Sequence, residues 1–221
     1  VLLPARDAGC PMADMINVSQ VKDLRKQHPD AAVMCYVNTS AAVKAESDIC
    51  CTSSNAVKVA KSIPNKKIIF IPDKNLGSYI AQKVPEKEFI LFNGYCITHE
   101  RVTLKDVKAA RKAAPDALML VHPECNPEVV KEADFVGSTS EIISYATESN
   151  CSNFIIGTEQ GVLHPLKKKN PGKNFYILSP KMICPNMKKT TMRDLLNSLE
   201  NMTYEIKLDK DEIDKAYKSL D

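Results

Sequence analysis

Between Asn93 and Cys125 the chain sets Cys96, His99, Glu100, His122 and Glu124 within one short span. A thiol, two imidazoles and two carboxylates at that density suit several kinds of chemistry. Cys96 is open to four roles: nucleophile, half of a disulfide, metal ligand, or small apolar filler. The chain has 8 cysteines, and its start, "VLLPARDAGC", shows no basic n-region or signal-cleavage pattern. That pairing points to a reducing, cytoplasmic setting, in which thiols serve as ligands, nucleophiles or core residues rather than disulfides.

The cysteines sort themselves by spacing. Cys10 in "DAGCPMADMINVSQVKDL", Cys96 in "NGYCITHERVTLKDVKAA" and Cys184 in "KMICPNMKKTTMRDLLNSL" recur at intervals of 86 and 88 residues. Each follows an apolar run and precedes a helix with a Ser/Thr start signal at Ser19, Thr103 or Thr191. Cys35, Cys50, Cys51, Cys125 and Cys151 do not recur in that slot. A single buried cysteine is more often a core residue than a ligand, but three in one repeated slot favour ligation if the repeats surround a common centre. Close Cys-x-x-Cys pairs, the usual zinc signature, are absent. Three distant thiolates instead suit a 4Fe-4S cluster whose fourth iron stays open as a Lewis acid.

Other polar residues fall at repeated positions too. Tyr36 and Asn38 correspond to His122 and Glu124 at the same spacing of 86, each pair following a buried apolar run. The carboxyl end of such a strand is where α/β sheets bind ligands. Tyr36 and Asn38 offer hydrogen bonds, and His122 and Glu124 offer acid/base chemistry. Tyr36 also reads as a core aromatic, and "HPEC" as a turn. Ser53 and Thr139 lie in "CTSSNAV" and "GSTSEII" ahead of helices, where hydroxyls and free N–H groups either cradle an anion or merely cap the helix. His99 either approaches the metal site or caps the following helix. His28 and His164 read as solvated, and "HPLKKKNPGKNF" as an exposed helix end stopped by glycine.

The elements that must position these groups come in duplicate. "VKDLRKQHPDAAVMCYVN" (21–38) lines up without gaps on "VKAARKAAPDALMLVHPE" (107–124). "ESDICCTSSNAV" follows onto "EADFVGSTSEII", and "IFIPDKN" onto "FIIGTEQ", the last pair one residue off the shift. Each unit reads as helix, buried strand, short helix, Ser/Thr turn, helix, second strand, helix, third strand. Continuous apolar runs such as "AAVMCYV" and "ALMLV" fit parallel strands covered on both faces. The fold class is α/β, a pseudo-threefold repeat of three-layer α/β/α domains with short parallel sheets. The expected division is 1–20, the end of a first repeat; 21–106 and 107–190, two α/β repeats; and 191–221, a C-terminal helical tail.

Composition narrows the partners. Hydrophobic residues are 44% and no stretch approaches the roughly 20 apolar residues of a membrane span, so no membrane is expected. The net charge of +3 is spread over interleaved signs and aromatics are only 6%, which argues against nucleic acid.

The motifs "AGCPMAD", "YVNTSA", "TSSNAV", "PDKNLG", "GYCITHE", "HPEC", "GSTS", "GTEQGVLHPLKKKNPGK" and "CPNMKKTT" together, in this order, closely resemble the quinolinate synthase family of NAD biosynthesis. The resemblance implies three homologous α/β domains in a triangle around a 4Fe-4S cluster held by Cys10, Cys96 and Cys184. It implies condensation of iminoaspartate with dihydroxyacetone phosphate to quinolinate, the open iron assisting dehydration, with L-aspartate oxidase or aspartate dehydrogenase supplying iminoaspartate. Carried over by position, the iminoaspartate contacts are Tyr36, Asn38, Ser53, His122, Glu124 and Thr139. Glu124 and Tyr36 then move protons, and His99 matches a histidine in or just behind the active site, the third catalytic candidate. The family also has a domain ahead of the first cysteine, with a His-Asn-Tyr-type segment that this sequence lacks; the resemblance thus implies that the first repeat is largely absent, and a fragment with weak cluster retention and impaired activity is expected. Two other readings stay open: a non-catalytic iron-sulfur or metal-binding scaffold, and a hydrolase using Cys96 as nucleophile with His99.

Overall fold

The computed structural model describes residues 1–220. The first helix, α1 (Val18–Gln27), begins at a capping box: the Asn17 side chain accepts the Gln20 N–H and the Gln20 side chain accepts the Asn17 N–H. Asn17, not Ser19, is therefore the cap, and Ser19 sits inside the helix donating to the same Asn17 oxygen at 2.7 Å. The helix stops ahead of Pro29, whose ring disfavours helical backbone at His28.

Then follow β1 (Ala31–Tyr36), α2 (Ala41–Ala45), β2 (Ile49–Cys51), α3 (Ala56–Ser62), β3 (Lys67–Ile71), α4 (Lys74–Lys83) and β4 (Glu88–Leu91). A single turn, α5 (Ile97–Glu100), leads into the second set: α6 (Leu104–Ala113), β5 (Leu118–Val121), α7 (Pro127–Lys131), β6 (Phe135–Val136), α8 (Thr139–Glu148), β7 (Asn153–Gly157), α9 (Leu163–Lys169) and β8 (Asn174–Ile177). Both sheets are wholly parallel, with orders β2-β1-β3-β4 and β6-β5-β7-β8. Each thus has four strands where sequence patterning suggests three. The edge strands β2 and β6 span three and two residues, too short to show any periodicity.

Each sheet is covered on both faces. Met34, Ile68 and Phe70 pack with Ala60, Leu76 and Ile80 of α3 and α4, and Val33, Cys35, Ile69 and Ile71 pack with Val21 and Val43 of α1 and α2. The second sheet repeats this, with Ile142, Ala146 and Leu166 from α8 and α9 on one side and Val107 and Val129 from α6 and α7 on the other. Burial on both faces is why the strands read as unbroken apolar runs.

A polar clamp is duplicated as well. Arg25 donates to the Glu46 carbonyl and pairs with Asp48, which accepts the Val33 N–H; Arg111 likewise donates to the Glu132 carbonyl and pairs with Asp134, which accepts the Met119 N–H. Strand register settles the third stretch of the repeat: Met34 lies opposite Phe70, and Leu120 opposite Ile156. The shift of 86 therefore holds without slippage, and Asp73 corresponds to Glu159, not to Thr158.

The chain ends with α10 (Met192–Asn201) and α11 (Lys210–Lys218). α11 packs on α2, and the Ser219 carbonyl accepts the Cys50 N–H at the free side of β2, covering an edge that would otherwise invite pairing. α9 is not stopped by glycine: Asn170 caps it and Pro171 follows, while Lys173 reaches the Ala146 and Ser149 carbonyls at the end of α8. Among the described residues no helix is long and apolar enough to cross a membrane.

The start of α6 offers a test of pH dependence. Burial acts to raise the Asp106 carboxyl, but the Thr103 hydroxyl and N–H, Lys181 and Ser179 outweigh it and pull the pKa from 3.8 to about 2. A depressed carboxyl contributes stability that is complete above its unfolded pKa and is lost as pH falls through the folded one. The parent should lose stability between about pH 4 and about pH 2 partly through this group. Asp106→Asn should lose about 1–2 kcal/mol at neutral pH and flatten that part of the profile. Urea midpoints measured across the window check it, and parallel profiles would refute it.

Candidate active site

The carboxyl ends of both sheets open toward one cavity of about 280 Å³. β1 delivers Tyr36 at its last residue and Asn38 just beyond, and β5 delivers His122 and Glu124 in the matching place. All four line the cavity, together with Thr139, His99 and the three recurrent cysteines Cys10, Cys96 and Cys184. Ser53 does not line it, but its hydroxyl lies 3.3 Å from His122 Nε2.

Three loops carry the cysteines, and they are tied to one another. Asn186 donates to the Gly9 carbonyl at 2.6 Å, and Lys189 pairs with Asp7 at 3.1 Å, joining the Cys184 and Cys10 loops. Arg101, after α5, donates to the Ile183 carbonyl at 2.7 Å, joining the Cys96 and Cys184 loops. Gly94 lets the Cys96 loop press on the first unit, since a Cβ there would lie 2.5 Å from the Pro72 carbonyl oxygen. Asn75, at the start of α4, donates to Glu100 at 2.6 Å and to the Glu124 carbonyl at 3.1 Å, linking the two units beside the cavity.

The chemistry centres on His99. Its Nδ1 lies 3.1 Å from Cys96 Sγ and 2.9 Å from Glu124 Oε2, and its Nε2 lies 3.1 Å from Thr158 Oγ1. A nitrogen facing a carboxylate and a sulfur must carry a proton. Burial opposes a charge on His99, yet the Cys96 sulfur and Glu124 overcome it and raise its pKa well above the ordinary value. Burial likewise acts to raise Glu124, and the His122 and His99 rings with the Tyr36 hydroxyl overcome it, holding the carboxyl below the usual range.

His122 behaves oppositely. Its Nδ1 accepts the Glu124 N–H at 3.3 Å, so the proton sits on Nε2, directed at Ser53. Burial lowers its pKa to about 4, so the ring is neutral at pH 7. The 3.8 Å approach of His122 to Glu124 is accordingly not an ion pair. Its ring stacks on His99 with centroids 5.0 Å apart. Burial and the neighbouring Glu124 push the Tyr36 phenol up, so it stays protonated and can donate.

Cys96 Sγ, His99 Nδ1 or Nε2 and a Glu124 oxygen come within 4.8 Å of one another, a set able to hold one metal ion. The three recurrent cysteines line the same cavity but do not converge that closely among the described residues. Thiolates spread around one space fit a polynuclear cluster better than a single ion, whose donors must all lie near 2.3 Å from it. All eight cysteines are free. Burial raises the Cys10 thiol, which shares this space with Cys96 and receives the Asn38 amide at 3.9 Å. Cys35, Cys51 and Cys125 are instead packed in the cores.

The Ser138 hydroxyl caps α8, and Glu141 returns to the Ser138 N–H and hydroxyl in a capping box. The helix's own carboxylate therefore occupies part of the N-terminus considered as an anion cradle at Thr139. Thr158, Glu159 and Asn186 also line the cavity, and the buried Asp73 accepts the N–H of Cys96, which lines it; none of these four stands out in the sequence. Burial and then Glu124 push Asp73 up to about 7.

Comparison with known proteins agrees with this geometry. Residues 1–221 match the family model described as Quinolinate synthetase A protein. Quinolinate synthase of Alkaliphilus metalliredigens is 60% identical over 220 residues, covering 100% of this chain and 73% of that protein. Quinolinate synthase of Caldicellulosiruptor saccharolyticus is 56% identical with the same coverage, and quinolinate synthase 2 of Methanosarcina acetivorans is 50% identical over 221 residues, or 71% of that protein. With the duplicated sheets, the shared cavity and a match over its whole length, the chain belongs to the quinolinate synthetase A protein family, enzymes of NAD biosynthesis.

Proposed function

We propose that the cavity condenses iminoaspartate with dihydroxyacetone phosphate, releasing phosphate and two waters to give quinolinate, on a 4Fe-4S cluster held by Cys10, Cys96 and Cys184. The observation that carries this reading is that cysteines from one repeated slot line a single cavity beside the buried His99–Glu124 pair. When bound, the cluster supplies a Lewis-acidic iron with an open position. The chain's own residues do the rest. Asn38, His122 and the hydroxyls of Ser53 and Thr139 supply directional hydrogen bonds suited to the two carboxylates of iminoaspartate. Glu124 accepts a proton and Tyr36, held protonated, donates one. His99 holds the Glu124 carboxylate in place and keeps it ionised. L-aspartate oxidase or aspartate dehydrogenase would supply the imine, in the cytoplasm.

Anaerobic reconstitution with ferrous iron and sulfide tests the cofactor. Four irons per chain and a broad absorbance near roughly 400 nm are expected; one iron per chain would favour the single-ion set of Cys96, His99 and Glu124. Adding iminoaspartate and the triose phosphate then separates enzyme from scaffold.

A further inference from the structure

Two buried carboxylates recur in the repeat without a part in the chemistry above. Asp73 is 0% exposed and Glu159 8%, and they stand 86 residues apart, the interval of the repeat. Asp73 Oδ1 accepts the N–H groups of Asn75 and Leu76 at 2.8 and 2.9 Å, capping α4, while its Oδ2 accepts the Cys96 N–H at 3.0 Å. Glu159 Oε2 accepts the Gly161 N–H at 2.7 Å, starting the turn that leads into α9, while its Oε1 accepts the Cys184 N–H at 3.4 Å. In both units one oxygen starts a helical segment and the other reaches across to the main chain of a cysteine. Lys188 pairs with Glu159 at 3.0 Å, so the second carboxylate is held from the Cys184 side as well.

We propose that Asp73 and Glu159 are positioning residues whose carboxylates latch the Cys96 and Cys184 loops by the backbone N–H and so set where the two thiols enter the cavity. The proposal rests on reading those cysteines as ligands. Its physical content is preorganisation: a cysteine whose backbone N–H is fixed by a buried carboxyl oxygen need not be ordered when metal binds. The same device appears on two loops that share no sequence around the cysteine beyond the cysteine itself, "NGYCITHE" and "KMICPNMK".

An amide substitution separates the two jobs. Asparagine is a good helix cap, so Asp73→Asn keeps its oxygen on Asn75 and Leu76 and turns an NH₂ toward the Cys96 N–H, donor against donor. Glu159→Gln does the same, keeping Gly161 and facing the Cys184 N–H with an amide nitrogen. Both variants should unfold near the parental temperature. Amide hydrogen exchange on the metal-free chain should quicken about tenfold or more at Cys96 in Asp73→Asn only, and at Cys184 in Glu159→Gln only. After reconstitution with ferrous iron and sulfide, iron release to a chelator should be about 10- to 100-fold faster in each variant than in the parent. Parental exchange at the two cysteines overturns the latch, and so does faster exchange with parental iron release. Should the parent take up no iron, the ligand reading fails, whereas unchanged or quickened exchange at each cysteine still decides whether the carboxylates hold the loops.

Discussion

Alanine at Cys10, Cys96 or Cys184, introduced singly, should each time leave the reconstituted chain without a full complement of iron and lower quinolinate formation by about 10³-fold or more. The three positions are equivalent by spacing and all open on one cavity, so the three losses should match. Cys125 is the control. It is 0% exposed, sits one residue from Glu124, and its thiol lies against the Gly157 carbonyl at 3.5 Å, with burial pushing its pKa up to about 12. It packs in the core and does not line the cavity, so Cys125→Ala should cost about 1–2 kcal/mol as a small cavity and leave iron unchanged. The pattern across variants also tests the rival chemistry. With His99 Nδ1 only 3.1 Å from Cys96 Sγ, a cysteine nucleophile activated by histidine has the right contact. That reading requires Cys96→Ala to be inactive while Cys10→Ala and Cys184→Ala keep full activity without iron. Iron and sulfide per chain, the visible spectrum and product formation, measured on all four variants, decide between them.

The repeat made most of the fold legible. Its interval of 86 placed the helices, the two central strands of each sheet and the equivalence of Tyr36 with His122 and of Asn38 with Glu124, because core strands buried on both faces leave long apolar runs. What stayed hidden was short or relational. β2 and β6 are held by pairing to a central strand, and nothing in two or three residues announces that. Asn17 rather than Ser19 caps α1 because Gln20 completes the box with it, a choice between two good caps that only geometry makes. The repeat of Asp73 in Glu159 is masked for a specific reason: aligned one residue out of step, "PDKN" and "GTEQ" set Asp73 beside Thr158, and the repeated acid disappears. Thr158 gives no signal at all. Its importance lies in a hydroxyl 3.1 Å from an imidazole 59 residues away.

Glu124→Gln should be the most informative change in the cavity, because it removes a proton acceptor while preserving almost everything else. Glutamine has the volume of glutamate, and its carbonyl can still accept from His99 Nδ1 where Glu124 Oε2 now does at 2.9 Å. Its NH₂ can donate to the Tyr36 oxygen. Cys96 is untouched, so iron uptake should equal the parent's. Turnover should fall by about 10² to 10⁴, in kcat more than in KM, since an amide cannot take a proton at neutral pH. Glu124→Ala would not give the same information. Both partners of the pair are almost fully enclosed, His99 at 6% and Glu124 at 5% exposure, and truncating one strands the other's charge at a cost of about 3–5 kcal/mol. The alanine variant should therefore unfold early and lose iron, mixing two effects that glutamine keeps apart. If Glu124→Gln turns over within tenfold of the parent with iron intact, the proton passes elsewhere. His122, whose ring is neutral at pH 7, would then be the base left to accept it, since His99 already carries its proton.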